Sequence, residues 1–236
     1  MPEPSKVLLY GFLGLLALTL VAALGGVRRG AAQPESVTPR TVAGGLALWM
    51  LATAGAALAG ITANFDTLPP PLMVIVLLGF IITIALGTGR LGSQVAMGVP
   101  VASLIAFQSF RFPLELLLHR AYTDGLMPIQ MSFEGRNFDI VTGLAGLFIG
   151  GYFVAANKEL PRSLAWGFNI LGLALLFNIV GIAIVSMPVF ALFGDEHVNT
   201  WVGYFPFVWL PAIFVTFALF GHIALTRRLL ADAKSA

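Results

Sequence analysis

Residues 7–27 read VLLYGFLGLLALTLVAALGGV, a run without a charge, a proline or a side-chain amide. A helix rises about 1.5 Å per residue and a bilayer core is about 30 Å thick, so about 20 apolar residues cross it. This run is long enough by itself. Six further apolar stretches follow, at 41–62, 72–87, 95–118, 138–156, 164–190 and 204–225. The 236 residues are 58% hydrophobic and only 10% charged, against about 25% charged in a soluble domain. Such a chain cannot cover its own surface with polar groups. The sequence therefore predicts an all-α, polytopic membrane helical bundle of seven transmembrane helices, forming one domain over residues 1–236.

The first run is read as a retained helix rather than a cleaved signal. Arg28 and Arg29 follow it and only Lys6 precedes it, the reverse of a signal's flanking charge. Basic residues also set the orientation. The loops after the first, third and fifth spans and the tail hold Arg28, Arg29, Arg40, Arg90, Lys158, Arg162, Arg227, Arg228 and Lys234. The opposite side holds Lys6, Arg120 and Arg136. Nine against three places the N-terminus outside and the C-terminus inside, in a multipass protein of the cell (inner) membrane.

Composition removes several chemistries. There is no Cys, hence no disulfide, thiolate metal site or Cys nucleophile. No Lys falls within a span, so a retinal-type Schiff base has no anchor. A net charge of +2 without a basic run gives no nucleic-acid footprint.

The fourth span carries the chemistry. Gln108, Arg111, Glu115 and His119 recur at three- and four-residue intervals, which puts them on one helix face. Counted from Val95, Arg111 lies about 24 Å along a core about 30 Å thick, in its outer third. Ionisable groups at such depth are costly unless paired or wetted, so the face is expected to look into the bundle. One reading is an Arg111–Glu115 pair that orders the helices. The other is a ligand site. Pro113 within the stripe frees the carbonyl of Ser109.

The stretch 122–139, YTDGLMPIQMSFEGRNFD, is punctuated by Gly125, Pro128 and Gly135 and reads as a turn-rich cap folding back on the outer mouth. Asn137 and Asp139 suit capping of the fifth span. Glu134 and Arg136, with Asp139, are candidate ligand-binding residues beside the stripe. Gly146 and Gly150 form a close-packing face, and Ala52, Ala56 and Gly60 on the second span read likewise. Asn169 and Asn178 are read as interhelical glue, His222 as a satisfied interfacial side chain. Trp201, Tyr204 and Trp209 suit an interfacial belt.

Phe112–Pro113, Glu115, His119 and the run Phe133-Glu134-Gly135-Arg136-Asn137-Phe138-Asp139 resemble stretches of uncharacterised bacterial multipass membrane proteins. The resemblance covers residues 110–143 and implies no activity.

Three functions remain open. The first is a binding or transport protein for a small polar solute or ion, with Arg111 and Arg136 taking an anionic group and Glu115 a proton or cation. Seven helices without a clear repeat are few for alternating access, and a homodimer would compensate. It needs no cofactor. The second is a membrane-embedded metal-dependent hydrolase acting on lipid or headgroup. Glu115 and His119 at i, i+4, with His197 and Asp195, would ligate a divalent metal such as zinc. The third is a structural or accessory subunit.

Overall fold

The computed structural model describes residues 3–31 and 36–234, the side chain of Lys234, one of the nine basic residues above, lying outside the description. Among the described residues there are eight principal helices: α1 (Lys6–Gly30), α2 (Pro39–Leu58), α3 (Pro71–Thr88), α4 (Arg90–Gly98), α5 (Val101–Thr123), α6 (Ile140–Ala155), α7 (Arg162–Val185) and α8 (Leu210–Ala233). The described residues contain no strand. Six of these helices, all but α4 and α6, are long and apolar enough to cross a membrane. α6, at about 24 Å by its rise per residue, is apolar but shorter. Large apolar side chains such as Leu18, Leu48 and Leu51 face outward, as a lipid-facing surface requires.

Local chemistry sets the boundaries. Ser5 caps α1 by accepting the Leu8 amide, and Thr38 caps α2 through Thr41, each satisfying one of the orphan amides of a first turn. Pro71 opens α3, where its missing N–H costs nothing. The expected span 95–118 is divided at Pro100, a correction with a clear cause. Proline disfavours helical backbone in the residue before it, and Val99 is extended (φ −110°, ψ 130°). The residues up to Gly98 form the separate short helix α4. The last helix likewise begins at Leu210 rather than 204, with Pro211 in its first turn.

Side-chain bonds tie the helix ends into two groups. At one end, the Ser5 amide donates to Asp124 Oδ2 (3.1 Å), Gln130 Nε2 donates to the His197 carbonyl (2.7 Å) and the Thr62 hydroxyl donates to the Gly203 carbonyl. At the other, Arg162 donates to the Leu229 carbonyl (3.1 Å), and Arg227 to the carbonyls of Gly87 (2.9 Å) and Gly89 (2.8 Å). Successive long helices thus run between the two ends in alternation.

α6 packs along α5 through its glycines. A Cβ on Gly143 would meet the Phe112 nitrogen at 2.2 Å, and one on Gly150 the Ala106 nitrogen at 2.3 Å. Rising numbers on α6 meet falling numbers on α5, so the pair is antiparallel. The small-residue stripe of α2 behaves otherwise: Ala52 and Gly60 are exposed, and nothing lies within 4 Å of a Cβ added at Gly60. Trp201, expected at the interface, is fully buried. It packs on Phe207 (4.7 Å), which with Phe214 meets Phe12 edge-on at 5.3 Å.

Candidate functional site

The α5 stripe faces inward. Gln108, Arg111 and Glu115 are 1–2% exposed. Because α5 starts at Val101, Arg111 lies about 15 Å along a 23-residue helix. It is near mid-depth rather than in the outer third. Just before it the helix tightens into a 3₁₀ turn, Gln108–Phe110, where Pro113 cannot supply the amide that would bond back to Ser109.

Arg111 pairs with Asp139, not with Glu115. Its Nε donates to Asp139 Oδ2 at 2.6 Å and its Nη2 donates to Oδ1, the two-pronged geometry that only a guanidinium offers a carboxylate. Nη2 also donates to the Gly172 carbonyl (3.3 Å), and Nη1 to His222 Nε2 (2.9 Å). Arg111 can only donate, so Nε2 accepts and the His222 proton sits on Nδ1. That nitrogen donates to Asn169 Oδ1 (2.9 Å), Asn169 Nδ2 donates to Thr226 Oγ1 (2.7 Å), and the Thr226 hydroxyl donates to the His222 carbonyl (2.8 Å). Each donor atom in this chain meets at least one acceptor, and the chain joins α5, α6, α7 and α8. Asp139 does not cap α6 with its side chain.

Glu115 belongs to a second group. Asn137 Nδ2 donates to Glu115 Oε2 (2.7 Å) and to the Met131 carbonyl (3.1 Å), while Asn137 Oδ1 accepts the Asp139 amide (3.1 Å). Asn137 therefore links the Glu115 carboxylate to the backbone of Asp139. Among the described residues, no cation lies within ion-pair distance of Glu115. The segment that delivers Asn137 folds onto the bundle as a cap, with Leu126, Met127, Gln130, Met131 and Ser132 buried.

Beside Glu115 is a cavity of about 80 Å³ between α3, α5, α7 and α8. Its wall is apolar except for Arg111, Glu115, Asp139 and Asn199. Asn199 is 1% exposed and neither atom of its side-chain amide has a partner. A buried amide without partners is costly, so this wall offers a donor and an acceptor to an occupant.

No family model, curated protein or solved structure matches this chain.

The other predicted residues are more dispersed. His119 is half-buried, stacked on Phe133 at 4.6 Å, with Nε2 3.8 Å from Glu134 Oε1 and Nδ1 buried without a partner. Glu134 is exposed. Arg136 lies over the Phe193 ring at 5.1 Å, away from Arg111's partners. Asp195 and Glu196 are exposed, and His197 Nε2 lies 3.8 Å from Glu196 Oε1. Among the described residues, no three His, Asp or Glu side chains are grouped to hold a metal ion. Sequence reasoning missed the place of His222 and the roles of Asn199 and Asn137. The only available signal was that Arg111, once buried, needs several acceptors, and few polar residues lie inside other spans to supply them.

Proposed function

We propose that this is a membrane transport protein, or a component of one, that binds a proton or small cation at Glu115. The supporting observation is the environment of that carboxylate. It is buried, its one side-chain partner is a neutral amide, and it borders a cavity carrying the unpartnered amide of Asn199. Arg111 is committed to Asp139, so the buried cluster holds one negative charge more than its cations offset. An isolated charge is strongly disfavoured in an apolar interior. A proton or a bound cation balances it. The cavity has room for about two or three waters at roughly 30 Å³ each, which suits a small ion better than an extended solute. Arg111 is not free to take an anionic group.

The route outward passes His119, one helical turn beyond Glu115, and the exposed Glu134. The route to the other end is closed by the Arg111–Asp139–His222–Asn169 clamp, which gives such a protein its barrier. We further propose seven crossings, α6 being the short one, with the N-terminus outside in a bacterial-type inner membrane. The basic residues at the Arg227 end support this orientation.

Proteoliposomes with a trapped pH dye and a clamped membrane potential test the transport reading. Imposed proton and sodium gradients are expected to give proton movement in the parent. Glu115→Gln should lower it to the rate of protein-free liposomes. Flux that survives Glu115→Gln, or no flux under either gradient, contradicts the proposal.

A further inference from the structure

A second, larger space lies on the other face of α8 from the Glu115 cavity. It is a crevice of about 990 Å³ bounded by α1, α2, α3, α4, α5 and α8, at the upper end of the range for ligand sites of roughly 300–1,000 Å³. Its wall is almost wholly apolar. Gly25 and Gly26 on α1 and Gly45 on α2 line it, and a Cβ added at any of them would meet nothing within 4 Å. The space is open because these residues lack side chains. Trp49 stands in the wall, its Nε1 donating to the Ala212 carbonyl (3.1 Å).

The charged residues of this crevice are confined to one end. Arg29, near the end of α1, and Arg90, the first residue of α4, line it. The end of α1 abuts the last residue of α4, where a Cβ on Gly98 would lie 2.4 Å from the Gly30 Cα, so Arg29 and Arg90 stand at the two ends of the nine-residue α4. Both arginines are exposed, and neither guanidinium has a hydrogen-bond or ion-pair partner among the described residues. The neighbouring Arg227 and Arg228 are already bonded, to the carbonyls of Gly87 and Gly89 and to Asp232.

An apolar slot ending at two exposed guanidinium groups, unpartnered among the described residues, matches one ligand chemistry: hydrocarbon chains joined to an anionic phosphate. We propose that the crevice is a specific site for an anionic phospholipid of the surrounding bilayer. Its acyl chains fill the space beside Gly25, Gly26 and Gly45, and its phosphate sits on Arg29 and Arg90. The site is independent of the Glu115 reading.

Trp49 supplies the probe. The purified full-length protein is reconstituted in phosphatidylcholine vesicles containing a minor fraction of phosphatidylglycerol, with bromine on the acyl chains of one lipid or the other. Fluorescence quenching assigned to Trp49 is the part lost in Trp49→Phe. Two arginines are expected to give the site about a 30-fold preference for the anionic lipid, at the usual strength of a basic residue facing an anionic headgroup. In the Arg29→Gln/Arg90→Gln variant the preference should fall to near unity while quenching by both lipids persists, and thermal unfolding should stay unchanged because both side chains are at the surface. Gly45→Leu should reduce Trp49 quenching by either lipid. Quenching by the two brominated lipids in proportion to their mole fractions in the parent, or a preference that survives the double variant, overturns the proposal. So does Trp49 untouched by either lipid in a protein of dimeric mass, which would put a second copy in the crevice.

Discussion

Arg111 Nη1 donates to His222 Nε2 across 2.9 Å, joining the middle of α5 to α8. This bond fixes the tautomer of a fully buried histidine and, through it, the orientation of Asn169 on α7. Removing the ring with His222→Leu leaves Arg111 short of one acceptor and Asn169 short of one donor. A buried group stripped of its partner costs about 1–3 kcal/mol. The variant should melt at lower temperature in detergent. Asn169→Leu added to it should cost less than it does in the parent, with a coupling of about 0.5–3 kcal/mol. Strict additivity would mean the two residues do not share a network.

The Arg111–Asp139 pair should behave as a buried ion pair does. Asp139→Asn leaves an uncompensated guanidinium and is expected to cost about 3–5 kcal/mol, seen as loss of monodisperse protein or a large fall in melting temperature. Replacing both partners, Arg111→Met with Asp139→Leu, should recover much of that loss. A double variant as unstable as the single one would show that the pair does more than neutralise itself.

Glycines on α6 give a paired test of packing. Gly143→Ala drives a methyl group into the backbone of Phe112 and must separate α5 from α6. Gly151→Ala meets nothing within 4 Å and gains about 0.5–1 kcal/mol of helix propensity. The first should destabilise, and the second should be neutral or slightly stabilising, by thermal unfolding. Equal effects would contradict the antiparallel contact.

Asp124, beyond the end of α5, ties that helix to the start of α1. Burial would raise its carboxyl, but hydrogen bonds from Ser5, and from Arg120 with its charge, outweigh this and hold it below the ordinary 3.8. A depressed carboxyl contributes stability that is present above its unfolded value and is lost as pH falls through its folded value. The melting-temperature difference between the parent and Asp124→Asn should therefore be constant at neutral pH and mildly acidic pH. It should shrink once pH drops below about 4. A difference that grows on acidification would reverse the sign of this assignment.

Much of the fold was legible because apolar length is a strong signal: the stretches at 7–27, 41–62 and 72–87 each appear as one long helix. Pro100 was legible in principle, since proline restrains the residue before it, but the apolar run passes through it and hides the break. That break moved Arg111 from the outer third to mid-depth. The inward face of the stripe was readable from spacing. Its partner was not, because i, i+4 spacing favoured Glu115 while the contact with Asp139 depends on how α6 lies against α5. Gly143, which sets that approach, continues the stripe of Gly146 and Gly150, which the sequence marks only as packing. His222 seemed peripheral because its depth was judged from the tail charges rather than from the acceptors Arg111 requires.

In the proposed transport function Glu115 carries an exchangeable proton or cation within the apolar bundle. Infrared spectroscopy of the reconstituted protein reads this directly, comparing sodium with a bulky organic cation at neutral pH. A protonated carboxylic acid C=O band, shifted by exchange into D₂O, is expected in the organic-cation buffer at least, and is expected to be absent in Glu115→Gln. No such band in either buffer, or a band that survives Glu115→Gln, would contradict it.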